Sequence, residues 1–255
     1  MSAGERAKKA SAVRALRFVE SGMRVGLGTG STAAWLVKLL GEKARKGGFD
    51  ITCVATSSRT ADLAEECGLK ITTLDEAGWL DLTIDGADEF DPNLNLIKGG
   101  GGALLIEKVV ATASDQMVVI TDASKDVERL GAFPLPVEVL QLGWQTTQTL
   151  VKELLSAVAV AGREITLRQN GERPFVTDEG NFILDLHLNR ISNARQLTMV
   201  LNQIPGVVDN GLFVDICNKV IIGHEDGTAE VRTFDGPRKA GVPSVSENLF
   251  ASIVE

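Results

Sequence analysis

The sequence predicts an α/β protein in two parts: a Rossmann-like, mostly parallel sheet domain and a second, smaller ferredoxin-like α+β domain. Two observations carry this. Short apolar runs alternate with helical patterns through the first half of the chain, the rhythm of βαβ units, whose parallel strands are expected to be buried. After Pro134 and Pro136 the order changes to β-α-β-β-α-β, the split βαβ arrangement of a small ferredoxin-like unit.

Residues 5 to 20 read as a helix, with Ala7, Ala10, Val13, Leu16 and Val19 along one face and Gly22 ending it. Strands follow over 23–27, 51–55, 69–74 and 80–84, with helices from Ser31 and over 60–66 between them. A glycine-rich loop at 99–102 leads into a helix to about Ala113, then a strand over 117–120. The second part offers strands over 137–142, 164–169 and 181–188, helices over 144–157 and 193–202, and a further strand. Runs at 212–216 and 220–222 are expected to return the chain to the first domain. Domain one is thus residues 1–134 with 208–255, and domain two is 135–207. The tail after Gly223 is polar and reads as an arm, free or laid across a neighbouring subunit.

The 255-residue chain carries a net charge of −8, which repels nucleic acid and anionic membrane alike. No apolar run is long enough to span a membrane, and the opening segment MSAGERAKKA lacks an apolar core with a cleavage site, so the cytoplasm is the expected compartment. Cys53, Cys67 and Cys217 are odd in number and far apart, which suggests buried thiols rather than disulfides or a zinc knuckle. His187 and His224 have no partner at metal-ligand spacing.

Ligands of open parallel sheets collect outside the carboxyl ends of the strands, and four such ends carry polar clusters. GLGTGST at 26–32 puts glycines at a tight turn and Thr29, Ser31 and Thr32 at a helix start. Phosphate suits such a turn, although an ordinary capped turn reads the same way. Neither a Walker A motif nor a full dinucleotide fingerprint is present. Thr56-Ser57-Ser58 and Thr121-Asp122-Ala123-Ser124-Lys125 end two further strands. TIDGADEFD sets Asp85 and Asp88 across a glycine turn, where both can face one cavity and hold sugar hydroxyls. No further ligands stand nearby to complete a metal site.

Lys98 precedes Gly99, Gly100, Gly101 and Gly102, and an apolar helix follows with Glu107 in it. Four glycines leave a bare backbone, which close approach of a ligand explains. The helical neighbours of Glu107 are Ala103, Leu104, Val110 and Ala111. A carboxylate so placed should have its pKa raised from ~4.3 toward neutrality, where it serves as a general base. On an exposed stripe it would be an ordinary surface charge.

GLGTGSTA, the TSS segment, TIDGADEFD, IKGGGGALLIEK, VVITDASK, FPLPVEV, VTDEGNFILD and PGVVDNGLF occur in this order over about the first 220 residues. They resemble the ribose-5-phosphate isomerase A family. The resemblance implies interconversion of ribose 5-phosphate and ribulose 5-phosphate in the pentose phosphate pathway, with no cofactor, no metal and a homodimeric or homotetrameric assembly in which the small domain takes part. By similarity, Glu107 is the proton carrier, Lys98 with Gly99, Gly100 and Gly101 forms the enediolate-stabilising loop, and the 85–88 turn (Asp85, Gly86, Ala87, Asp88) binds the sugar. Thr29, Gly30, Ser31, Thr32 and Lys125 match phosphate and substrate contacts, with Lys8 a lesser candidate. Two departures stand out: the tail after Gly223 exceeds the family's usual finish, and Gly102 stands where related sequences often carry alanine.

Two other classes compete. A sugar-phosphate sensor of a transcription regulator needs a DNA-binding module, and about twenty residues before the first strand are too few for one. A CoA transferase uses a glutamate as a covalent nucleophile, but the phosphate turn and the paired aspartates fit a sugar phosphate better.

Overall fold

The structure is a computed structural model and describes residues 1–233. In chain order it holds α1 (Ala3–Ala15), β1 (Arg24–Leu27), α2 (Ser31–Arg45), β2 (Thr52–Ala55), α3 (Ser58–Glu66), β3 (Lys70–Ile71), α4 (Leu74–Ala77), β4 (Leu82–Asp85), β5 (Glu89–Phe90), β6 (Leu96–Ile97), α5 (Leu104–Thr112) and β7 (Met117–Asp122). Then come β8 (Leu135–Val139), α6 (Trp144–Ala157), β9 (Glu164–Leu167), β10 (Gln169–Asn170), β11 (Arg173–Pro174), β12 (Phe182–His187), α7 (Ala194–Leu201), β13 (Val207–Asn210), β14 (Leu212–Phe213), β15 (Lys219–Gly223) and β16 (Ala229–Thr233).

The large sheet runs β16-β15-β7-β4-β1-β2-β3. Every neighbouring pair is parallel except β15 with β16. From β1 the chain moves outward through β2 and β3, then returns to the other side of β1 at β4. That reversal is a topological switch, and the crevice at the carboxyl ends of β1 and β4 is where such folds bind ligands. Val25, Leu27, Leu82, Ile84, Val118 and Ile120 are buried in one core cluster with residues of α1 and α2.

The second sheet runs β13-β8-β12-β9, antiparallel throughout, and its core gathers residues such as Val137, Val151, Leu184 and Leu197. This is the expected β-α-β-β-α-β unit, with its last strand continuing to Asn210, beyond the expected limit at 207. A third, small sheet, β14-β6-β5, contributes to both cores, Ile97 and Leu212 to that of the second sheet and Phe90, Leu96 and Phe213 to a cluster with Met117 and Val220 of the first.

Several expectations change. The first helix ends at Ala15 and buries Ala7, Ser11, Ala12 and Ala15, while Val13 is 47% exposed. Small residues face inward because α1 lies close over the sheet: a Cβ at Gly223 would overlap the Ala7 carbonyl. The stretch after Leu69 is a two-residue strand followed by the short helix α4, capped by Thr73. The run at 212–216 pairs with β6, not with the large sheet, whereas β15 does return to it beside β7. Residues 229–233 are no loose arm but the antiparallel edge strand β16, joined to β15 by a turn over 224–228; residues 234–255 of the expected arm lie outside the described residues. No helix among the described residues is long and apolar enough to cross a membrane.

Candidate active site

At the end of β1 the chain turns through Gly28, Thr29 and Gly30 into α2. Gly28 admits no side chain, because a Cβ there would overlap Asp85. Gly30, with φ at 119°, stands at the N-cap of α2 and supplies no side-chain cap. The first-turn N–H groups are therefore left to a ligand, and the positive end of the helix dipole favours an anion. Ser31 and Thr32 line the cavity in front of it. Thr29 reaches down instead, its Oγ1 lying 2.8 Å from Thr56 Oγ1 and donating to Ser57 Oγ at 2.8 Å.

Asp85, at the end of β4, is fully buried. Its Oδ1 accepts from the N–H groups of Thr29 at 3.0 Å and Gly86 at 2.7 Å, and its Oδ2 lies 3.0 Å from Lys98 Nζ. Lys98 is 2% exposed. Its ammonium donates to the Gly86 carbonyl at 2.6 Å and sits 3.2 Å from Glu107 Oε1. Glu107 is 3% exposed, and its Oε2 is buried without a hydrogen-bond partner among the described residues.

One ammonium between two carboxylates leaves one negative charge in excess in a poorly solvated place. Burial pushes the Glu107 carboxyl up to about 8, with the neighbouring Asp85 carboxylate pushing the same way and Lys98 pulling back only in part. Burial pushes Asp85 up as well, against Lys98 and the Gly86 and Thr29 N–H groups. Three donors hold Asp85, where the ammonium alone holds Glu107. Burial pulls the Lys98 ammonium down, but Asp85 and Glu107 outweigh it and hold it above its ordinary value.

The loop from Lys98 to α5 is bare backbone. Asp88 Oδ2 accepts from the Gly100 N–H at 2.7 Å, and a Cβ on Gly100 would stand 2.6 Å from Asp88 Oδ1. The N–H groups of Gly99 and Gly101 have no partner among the described residues. Gly102 has φ at 83°, and the ring of Phe175 occupies the place of its missing Cβ. α5 is not buried all round: Leu104, Glu107, Val110 and Ala111 face inward while Val109 is exposed. Its Lys108 donates to Asp209 Oδ1 at 2.8 Å and the Asn210 carbonyl at 2.5 Å, pinning the helix to β13.

These pieces surround a cavity of about 320 Å³, within the ~300–1,000 Å³ of small-ligand sites. Its walls are residues 29–32, residues 86–88, Lys98 to Gly101, Glu107, Thr121, Asp122, Ser124 and Lys125, with Lys8 of α1 at one side. Asp85 is not on the wall. The two aspartates do not share one cavity, as the turn suggested; Asp88 faces it and Asp85 works from beneath. Thr56 and Ser57 likewise serve the structure, Thr56 bonding the Leu27 carbonyl and Ser57 capping α3. Arg168, just after β9, and Phe175, just after β11, touch the glycine loop. Nothing in their local sequence signals this, since they lie about seventy positions from the loop. Asp122 accepts from the Ser124 N–H and so shapes the turn that carries Lys125. No group of three or more metal-ligating side chains occurs among the described residues.

Switch-point crevice, helix N-terminus and buried Lys98–Glu107 pair together define an α/β protein built around a small anionic ligand. The profile of ribose 5-phosphate isomerase A (phosphoriboisomerase A) matches residues 52–227. The chain is 68% identical over 254 residues to a ribose-5-phosphate isomerase A of Ruegeria sp. (strain TM1040), covering 98% of this chain and 96% of the relative. Identity to that of Dinoroseobacter shibae is 67% over 232 residues, 91% of this chain and 89% of the relative. The solved ribose 5-phosphate isomerase from Plasmodium falciparum superposes with a TM-score of 0.85 at 33% identity, over 92% of this chain and all of that one. A D-ribose-5-phosphate isomerase solved in complex with phospho-erythronic acid gives 0.84 at 40% identity, over 91% of this chain and all of that one. The chain belongs to the ribose 5-phosphate isomerase A family. Its long tail is no departure from the Ruegeria relative, with which the alignment covers 98% of the chain.

Proposed function

We propose that this protein interconverts D-ribose 5-phosphate and D-ribulose 5-phosphate through an enediolate, with Glu107 carrying the proton. The observation that carries the proposal is the Glu107 carboxylate: buried, beside an ammonium, on the cavity wall and with one oxygen unshared. Family membership and the related enzyme's complex with phospho-erythronic acid support the substrate class.

The phosphate is held by the α2 N-terminus with Ser31 and Thr32, and by Lys125, with Lys8 at hand; Thr29 and Gly30 shape the turn. Asp88, the aspartate on the wall, assists opening of the furanose. Glu107 then removes the proton from C2 of the open aldose and returns it to C1, while the O2 proton moves to O1 and C2 becomes the ketone. Negative charge appears on O1 and O2 in between. The Lys98 ammonium and the unpartnered N–H groups of Gly99 and Gly101 stabilise it, a role for which preorganised donors in a water-poor site are suited. Asp85 is a positioning residue that fixes Lys98, the Thr29 turn and Gly86 at once.

In the same reading, residues 1–134 with the chain after Asn210 are the catalytic part, and residues 135–210, to the end of β13, are a small part that assists assembly into a homodimer or homotetramer. Exposed Leu140, Leu142 and Met199 on the small part suit such assembly. The reaction belongs to the non-oxidative pentose phosphate pathway, and the cytoplasm is its place.

The test is turnover of ribose 5-phosphate after chelator treatment, for the parent and a folded Glu107→Gln variant. The expected result is an active parent and a variant reduced by ~10²–10⁴-fold or more, the worth of a positioned acid–base group. An inactive parent sinks the isomerase reading, and an active variant moves the base elsewhere.

A further inference from the structure

We propose that Arg168, which follows β9 of the small sheet, is a positioning residue for the isomerisation, setting two peptide planes of the glycine loop so that the Gly100 N–H stays on Asp88 and the Gly101 N–H is free to face the reacting end of the substrate. The inference rests on the isomerase reading above and adds a contribution of the small domain to the chemistry.

Arg168 directly follows β9. Its guanidinium is held by Asp185 of β12, Nε donating to Oδ2 at 2.9 Å and Nη2 to Oδ1 at 2.5 Å. Such a two-point pair fixes the plane of the fork as well as its position. The remaining Nη1 reaches into the other part of the molecule, donating to the Gly99 carbonyl at 2.7 Å and the Gly100 carbonyl at 3.4 Å. The pair is largely shielded, at 14% and 16% exposure.

A trans peptide is planar, with its C=O and N–H pointing opposite ways. Drawing the Gly99 carbonyl toward Arg168 turns the Gly100 N–H away from it, and that N–H is the one bound by Asp88 at 2.7 Å. Drawing the Gly100 carbonyl the same way turns the Gly101 N–H in the opposite sense, and this group is left unpartnered in a loop that lines the cavity. Glycines do not hold such orientations by themselves, since their backbone is the most permissive. A second contact independently supports the brace: the Phe175 N–H donates to the Arg168 carbonyl at 2.9 Å, and its ring covers Gly102.

A residue that sets loop dipoles acts on charge developing in the transition state, whereas the phosphate anchor on α2 lies elsewhere. The experiment compares the parent with Arg168→Met, which keeps the stem and loses the fork, and Asp185→Asn, which loosens it. Arg168→Met is expected to lower kcat for ribose 5-phosphate by about 10–100-fold, the scale of a small misplacement of reacting groups, with KM within about threefold. Inhibition by phospho-erythronic acid, whose carboxylate carries anionic charge at the reacting end, should weaken about 10-fold; inhibition by inorganic phosphate should not change. Asp185→Asn should move both readouts the same way by less. An active parent with unchanged kcat in a folded Arg168→Met overturns the inference, as does a fall in Tm with kcat and inhibitor discrimination intact. If Arg168→Met does not fold, Arg168→Lys decides on the same readouts, and unchanged kcat there also overturns it. An inactive parent defeats the isomerase reading itself, a separate outcome.

Discussion

Glu107 was legible because a single carboxylate interrupts an apolar helix, and a charge so placed is either a surface accident or a tuned group. Its partner was not legible. Lys98 meets it only because the glycine loop folds back over the start of α5, and Asp85 beneath them is committed by backbone N–H groups that no spacing rule exposes. The outcome is a measurable pH signature. In the proposed mechanism Glu107 must be ionised to accept a proton, and burial with Asp85 nearby raises its pKa to about 8. We expect kcat/KM for ribose 5-phosphate to rise with pH along a limb centred near that value, which in the free enzyme reports the essential base. The residual activity of Glu107→Gln should lack the limb. A limb at the ordinary carboxylate value of ~4.3 would mean that Lys98 neutralises Glu107 fully.

Among the elements, those with a clear period and a clear stop were read well: α2, α3, α6 and α7 and the strands they follow match within a few residues. The misses share a physical cause. In α1 the inward face is chosen by close approach to β7 and β15, which favours Ala and Ser over the larger Val13. The two-residue strands β5 and β6 carry too few residues for any period and exist because they pair, with each other and with β14, whose run was read but whose partner was not. Gly102 is the loop position where element and neighbour meet. Its φ of 83° suits glycine, and Phe175 fills the space of a side chain. Gly102→Ala should therefore destabilise by about 1–3 kcal/mol and lower kcat. Phe175→Ala in the same chain should recover part of the loss, leaving the backbone share. Thermal unfolding of the four members of that cycle tests the claim, and strict additivity would refute contact between the two positions.

At the scale of the whole molecule, the two-part plan followed from the change in rhythm after Pro134, while the links between the two sheets join residues too distant for local reading: Lys108 with Asp209 of β13, and Arg168 with the glycine loop. Both parts bury acid groups, Asp85 and Glu107 in one and Glu138 in the other, with a consequence for stability as a function of pH. Glu107 is raised from 4.5 to about 8, and Asp85 and Glu138 are raised by burial against their hydrogen-bonding partners. A carboxyl raised on folding keeps its proton longer in the native chain than in the unfolded one. Its contribution to stability is whole below the unfolded pKa and is lost as pH climbs through the native value. For Glu107 that window runs from 4.5 to about 8, and the net charge of −8 adds repulsion in the same direction. Glu5, Glu76 and Asp226 are held low, foremost by the Trp35 indole, the Thr72 hydroxyl and the Thr228 N–H respectively, and act oppositely. Their support is lost only as pH falls below the ordinary carboxylate range. Tm should therefore be highest in mildly acidic solution and decline from about pH 5 to about pH 8. Glu107→Gln, which cannot ionise, should flatten that decline and leave the variant more stable than the parent at the alkaline end. Calorimetry of both chains across that range decides it: a parent Tm that stays flat or climbs between those limits would show that the buried carboxyls titrate at or below their unfolded values, and the case for a raised Glu107 would fall with it.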